Sequence, residues 1–223
     1  NRYLLRFETS NRKLYEVIHP RSGRKRPDGT PVESDRFVIL RTLRRLGYEV
    51  GSGVMIGIPG QSYDDLAGDI EWFRKLGLDM IGVGPFLASP GTPLGDLRSQ
   101  KSGAPELHCD DQVPATAEMT CRVISLSRIL CPEANIPATT ALATLDADAG
   151  RNHGLLAGAN VIMPNLTPEK YRELYSIYPG KAGAHETAEV VNDGIREQIA
   201  GIGRTVGHGP GDSPAFRKRS GNV

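Results

Sequence analysis

Three charged side chains share one face of the first extended segment, Asn1-Arg-Tyr-Leu-Leu-Arg-Phe-Glu8. The period of two in a β-strand puts Arg2, Leu4, Arg6 and Glu8 on one side and Tyr3, Leu5 and Phe7 on the other. The apolar side can pack against helices. The charged side is ordinary on a solvated sheet face, but inside a barrel it calls for a charged ligand, because a buried unpaired charge is strongly destabilising. A second segment, Gly53-Val-Met-Ile-Gly-Ile-Pro-Gly-Gln61, brings several glycines to one strand end. Without Cβ atoms a backbone admits a flat ligand, whose edge its N–H and C=O groups can read. A tight strand-to-helix turn wants the same Pro-Gly, and these residues alone leave both readings open.

The other strand ends carry polar or soft groups as well: Gly84, Pro85 and Phe86, then Thr139 and Thr140, then Met163, Pro164 and Asn165. A methionine at a strand end is more often core than ligand pocket, and paired threonines are good strand formers. Recurrence of such groups along one rim is what favours a binding site. Cys109, Cys121 and Cys131, spaced by 12 and 10 residues, form neither a disulfide framework nor a metal-ligand pattern. Small buried thiols of this kind fit a reducing, cytoplasmic compartment. The five histidines show no metal-ligand spacing, so no metal site is expected in this chain.

Those candidate residues need a scaffold. Helical patterns over Ser34 to Leu46, Tyr63 to Leu76, Pro114 to Leu130 and Asp146 to Ala157 alternate with apolar strand patterns. The strands are expected near Arg2–Glu8, Tyr48–Pro59, Asp79–Phe86, Asn135–Thr140 and Ala159–Met163. Pro168 to Tyr175 predicts a helical turn. A Gly/Pro/Ser-rich loop joins the third strand to the next helix, and loops of that length are usually functional or disordered. Helices between short apolar strands mean β-α-β units and a parallel sheet with right-handed crossovers. A closed (β/α)8 barrel needs eight strands and about 250 residues. Five strands in 223 residues therefore predict an α/β fold that is the C-terminal five-eighths of a TIM-type barrel over residues 1–202. Residues 203–223, Gly/Pro-rich and basic, are expected to be a disordered tail. An open doubly wound sheet is the alternative, although no G-x-G-x-x-G follows a first strand.

The chain starts in a strand, without Met, so the missing units are expected upstream. Such a partial barrel, with two open edges, is expected to fold poorly when expressed alone. Net charge is +1, from 27 basic and 26 acidic residues, which gives no electrostatic reason for nucleic acid or an anionic membrane as partner. No apolar run approaches the roughly 20 residues needed to span a bilayer.

In the Gly53–Gln61 segment the chain resembles radical S-adenosylmethionine (SAM) enzymes, whose matching strand end lies against the adenine. Within them it is most similar to the HydE-type maturases of FeFe hydrogenase, relatives of biotin synthase and methylornithine synthase. The matching stretches are residues 2–9, 46–49, 53–61, 79–86, 135–140, 158–165 and 171–181, in order along the chain. The resemblance implies an enzyme that cleaves SAM reductively to a 5′-deoxyadenosyl radical, used in assembling the hydrogenase active-site cofactor on an iron-bound, cysteine-containing precursor. It places Glu8 and Arg36 at the amino-acid end of SAM and Met55 beside the adenosyl group. Arg2 and Arg6 fall where anionic substrate groups bind. Met80, Thr139, Thr140, Met163, Tyr175 and Tyr178 fall on the substrate cavity.

The radical-generating 4Fe-4S cluster of such enzymes sits on C-x-x-x-C-x-x-C, which this chain lacks. The motif is expected upstream, so no catalytic group is expected in this chain and the chain alone is expected to be inactive. The absence of cysteine between Lys181 and Gly203 implies no second cluster. An electron donor and other hydrogenase maturases are the implied partners. A biotin-synthase-like or methylornithine-synthase-like enzyme with another small substrate is the alternative within this chemistry. A cluster-free partial-barrel binding protein is the alternative outside it.

Overall fold

The computed structural model describes residues 1–19, 23, 25–30, 35–99, 107, 109–146, 149–164, 167–172 and 188–221. Its elements in chain order are β1 (Arg2–Leu4), α1 (Arg12–Ile18), α2 (Arg36–Arg45), β2 (Glu49–Ile56), α3 (Tyr63–Lys75), β3 (Met80–Pro85), α4 (Pro93–Ser99), α5 (Ala117–Leu130), β4 (Pro137–Ala138), α6 (Thr140–Leu145), α7 (Gly150–Leu156), β5 (Val161–Ile162), α8 (Glu169–Arg172), α9 (Ala188–Gly201) and α10 (Pro214–Ser220).

β1, β2 and β3 form a parallel sheet in that order, and β4 pairs in parallel with β5. Backbone bonds at Asn135 join the two sheets. Its N–H donates to the Asp79 carbonyl and its carbonyl accepts from Ile81 N–H, each at 2.8 Å. The five strands thus follow one another in sequence order, as the alternating pattern predicts. The register sets Gly51 beside Met80, Gly53 beside Gly82 and Met55 beside Gly84. Alternation then sorts the two faces. Val50, Val54, Ile81, Val83, Ile136 and Ala138 are buried under the helices. The opposite face carries Leu4, Met55, Met80 and glycines, and a Cβ on Gly51 would stand 2.8 Å from Leu4 Cδ1.

The helices end where their capping residues predict. Asp35 caps α2, Ser62 and Asp65 form a capping box on α3, and Thr116 caps α5. Phe37 and Leu40 of α2 and Leu66, Ile70 and Phe73 of α3 point into the core, where the Phe7 ring lies 4.7 Å from Phe37 and 5.9 Å from Phe73. The half-buried Cys121 and Cys131 pack against the same core as free thiols, and burial pushes both pKa values up. That is the structural role expected of them. No helix among the described residues is long and apolar enough to cross a membrane.

Several elements differ from expectation. Regular pairing of β1 ends at Leu4, and the chain rejoins β2 at Glu8, which bridges Val54. α1 forms in the stretch after Glu8 with Asn11 as its cap, because Asn11 accepts from Lys13 and Leu14 N–H. The fourth strand stops at Ala138, since Thr139 caps α6 by accepting from Leu142 N–H. The end expected to be a disordered tail from residue 203 instead carries α10, docked against the N-terminal ends of the strands. Ser213 N–H donates to Glu49, and the Arg219 guanidinium donates to both oxygens of Asp79.

Candidate functional site

The C-terminal ends of β1 and β2 meet at Glu8. Its N–H donates to the Gly53 carbonyl at 3.0 Å, which holds its carboxyl over the end of β2. Glu8 adopts φ +66°, the one positive φ at a non-glycine among the described residues. A left-handed conformation of this kind is strained for a residue with a long side chain and persists only where the surroundings impose it. Three groups surround the carboxyl. Arg6 Nε lies 3.1 Å from Oε1, the Met55 backbone N–H donates to it, and Arg36 stands nearby with its Nη1 on the Arg6 carbonyl. Burial raises the Glu8 pKa, and the Arg6 and Arg36 charges oppose that rise. Glu8 Oε2 is nonetheless buried without a hydrogen-bond partner, and Arg6 Nε, though ion-paired with Oε1, is not aligned for a hydrogen bond to it. Buried polar atoms are almost always paired, so these two mark a place where a ligand with polar ends would be satisfied.

The loop after β2 turns on Gly57, with φ +80°, where a Cβ would stand 2.5 Å from the Ala115 backbone nitrogen. Only glycine fits that turn. Gln61 braces it: Oε1 accepts from Gly57 N–H at 2.7 Å, while Nε2 donates to the Met55 carbonyl and to Asp69 Oδ2, each at 3.2 Å. Asp69, fully buried on α3, also accepts from Ser10 N–H at 2.5 Å. Burial drives its pKa up to about 7 against the pull of those hydrogen bonds.

A stability consequence follows for Asp69. Its folded pKa exceeds the value of about 4 expected when unfolded, so its contribution is intact below about pH 4 and is lost as the pH rises through about 7. Between about pH 5 and pH 8 the native chain should lose roughly 3 kcal/mol of stability relative to Asp69→Asn, two titrating units at about 1.4 kcal/mol each. Urea unfolding of both proteins at the two pH values checks this, and parallel curves would disprove it.

The structure distributes the residues singled out from the sequence into two groups. Arg6, Glu8, Arg36 and Met55 come together at the rim. Arg2, Met80 and Met163 come together lower down, lining a cavity of about 260 Å³ with Leu4, Glu49 and Gly51. Arg2 departs from its expected part as a free anion-binding group. At the start of β1, its guanidinium is committed to Glu49 at 2.7 Å and to Asp212 at 2.5 Å, because the docked C-terminal segment brings Asp212 to it. Thr139 lies against β3, with Oγ1 2.9 Å from where a Gly84 Cβ would be, while Thr140 opens α6. Tyr175 and Tyr178 lie outside the described residues. Asp69 was not singled out from the sequence. Its signal was there: a carboxylate between Leu66 and Phe73 on the apolar stripe of α3. Among the described residues no group of three or more His, Cys, Asp or Glu could hold a metal ion.

No family model matches the chain. Over 219 residues, 98% of its length, it is 41% identical to the FeFe hydrogenase maturase subunit HydE of Thermotoga maritima. Over 110 residues, 49% of its length, it is 29% identical to the biotin synthase of Thermus thermophilus. The chain spans 55% of the length of the first relative and 30% of the second.

Proposed function

We propose that this chain, 41% identical to a HydE maturase over nearly all of its own length, is of the radical-SAM HydE type and is part of an enzyme that binds SAM at the Glu8 rim and cleaves it reductively in the assembly of the FeFe-hydrogenase cofactor. The buried, unpartnered Glu8 Oε2 carries this reading. An α-amino acid offers an ammonium to that oxygen and a carboxylate to the guanidiniums of Arg6 and Arg36. Charge-assisted pairs of this kind are the strong ones. Met55 stands next along the same rim and would flank the adenosyl group in this reading, whereas the Gly57 turn packs against Ala115 and shapes the loop. SAM held there supplies, on one-electron reduction of its sulfonium, methionine and a 5′-deoxyadenosyl radical.

This chain's own residues bind and orient SAM. The 4Fe-4S cluster that delivers the electron is, in this reading, held by cysteines elsewhere in the full-length protein. In this reading the five strands are the C-terminal five-eighths of a (β/α)8 barrel, and the cavity beside Met80 and Met163 receives an iron-bound, cysteine-containing substrate. A cytoplasmic electron donor and the other hydrogenase maturases are the partners it calls for. The maturase reading is preferred to a biotin-synthase-like one because the first relative matches twice as much of the chain.

The test is the full-length protein, loaded with its cluster without oxygen and chemically reduced. It should convert SAM to equal amounts of 5′-deoxyadenosine and methionine. Cluster-loaded, reduced protein that yields neither would overturn the reading.

A further inference from the structure

The carboxylate of Asp69 adds a buried tie from the far side between two loops that also meet at Glu8, through Val54 and the Met55 N–H. Asp69 is fully buried on α3, and one of its oxygens accepts from Ser10 N–H, two residues beyond Glu8. The other accepts from Gln61 Nε2. Gln61, equally buried, passes the connection on to the Met55 carbonyl and to Gly57 N–H. A carboxylate only accepts, so the amide nitrogen of Gln61 must face it. That leaves Oε1, the one acceptor of the amide, for Gly57 N–H. The polarity of the whole chain of bonds is therefore set at Asp69.

We propose that Asp69 is a positioning residue for the SAM site, fixing the Glu8 loop and the Met55–Gly57 loop relative to each other through Ser10 and Gln61. The proposal rests on the SAM reading for its consequence but not for its geometry. The neighbouring contact of Asp65 with Asn11 at 2.8 Å and the Ser62 capping box hold the start of α3 itself, so α3 remains anchored when Asp69 is altered. In Asp69→Asn an amide donor replaces one acceptor oxygen. Whichever way it is turned, either Ser10 N–H or Gln61 then faces a donor, and reversing Gln61 moves the mismatch to Gly57.

The experiment uses the full-length, cluster-loaded protein near pH 8. Asp69→Asn should weaken SAM binding at least tenfold. Amide hydrogen exchange in peptides spanning 6–12 and 55–60 should accelerate together, with the middle of β3 unchanged. The urea midpoint should not fall, because a buried charge has been removed; a residue serving only the core would lower it together with the affinity. Adding Gln61→Glu to Asp69→Asn restores a donor–acceptor match between the two positions. It should recover part of the lost affinity, limited by the Met55 carbonyl, which then lacks its donor. Should Asp69→Asn fail to fold, Gln61→Leu serves instead: exchange should accelerate in 55–60 and not in 6–12, since Asp69 keeps Ser10. Unchanged exchange in both loops, or affinity lost only in proportion to stability with no recovery in the double variant, would overturn the proposal. If the unaltered protein does not bind SAM, the SAM reading fails, and coupled exchange of the two loops still decides whether Asp69 clamps them.

Discussion

Glu8→Gln should lower the affinity of the full-length, cluster-loaded protein for SAM by roughly ten- to a hundredfold while leaving its fold intact. A hydrogen bond to a charged partner is worth about 1.5–3 kcal/mol, which is about one to two decades in a binding constant. Glutamine keeps the shape but presents no net charge to an ammonium, and its NH2 would face the ligand as a second donor. Stability should move the other way. Burial raises the Glu8 pKa, so the folded protein holds this proton more tightly than the unfolded chain. Its stabilising contribution is therefore greatest at acid pH and fades as the pH rises through the folded pKa. Gln, which cannot ionise, should narrow that loss, although Arg6 and Arg36 then lack their counter-charge. Equilibrium dialysis against SAM, alongside urea unfolding at several pH values, separates the two effects. Glu8→Asp, with the charge kept but drawn back, should fall between. Equal SAM affinity in all three proteins would remove Glu8 from the binding site.

The strained backbone at Glu8 sharpens this expectation. A φ of +66° at a glutamate carries a penalty of the order of 1–3 kcal/mol, which its neighbours must offset. Here the Glu8 N–H bond to Gly53 and the Ser10 N–H bond to Asp69 hold the turn from both sides. The turn lifts the carboxyl out of regular strand alternation and aims it over the end of β2. Glu8→Gly would relax the strain and remove the carboxyl at once, so it cannot stand in for Glu8→Gln.

This turn also marks the limit of what could be read from the residues. α2, α3, α5, β2 and β3 were legible because their apolar residues repeat with one period and their ends carry capping residues or glycine. α1 was not, since only Leu14 and Tyr15 of its seven residues are buried and no apolar stripe announces it. The two threonines read as strand because threonine favours strands, whereas here Thr139 caps α6 and Thr140 opens it. The charged face of β1 was legible as a face. That its two arginines would part company was not: Arg6 goes to Glu8 and Arg2 to Asp212, 210 residues away. Long-range ion pairs leave no trace in local periodicity, which is also why the Gly/Pro-rich end read as a tail.

The largest loss of stability should come from Asp79→Ala, at the opposite end of the strands. Asp79 is fully buried and accepts from Val50 N–H at 2.8 Å, Arg44 at 2.6 Å, Arg219 at 2.7 and 2.8 Å, and the Ser213 hydroxyl at 3.3 Å. Removing one partner of a buried ion pair typically costs about 3–5 kcal/mol, because the charges left behind are uncompensated. Alanine here abandons two guanidiniums and a buried backbone N–H together. Arg219→Ala should cost far less, about 1 kcal/mol, since its side chain is 42% exposed and water can replace its partner. The order Asp79→Ala, then Asp79→Asn, then Arg219→Ala in urea unfolding is the expected result. Faster trypsin cleavage after Arg217 or Lys218 in all three would report release of α10. An Asp79→Asn midpoint equal to that of the unaltered protein would show that hydrogen bonding rather than charge holds this end. The proposed SAM site should hardly register these changes: Glu49 and Ile56 bound β2, and its ends lie roughly 20 Å apart at about 3.3 Å per residue. Glu8, partly buried, and Asp79, fully buried, are both carboxylates between arginines, yet only Glu8 of the two leaves an oxygen unpaired. The saturated one should govern whether the protein folds, and the unsaturated one what it binds.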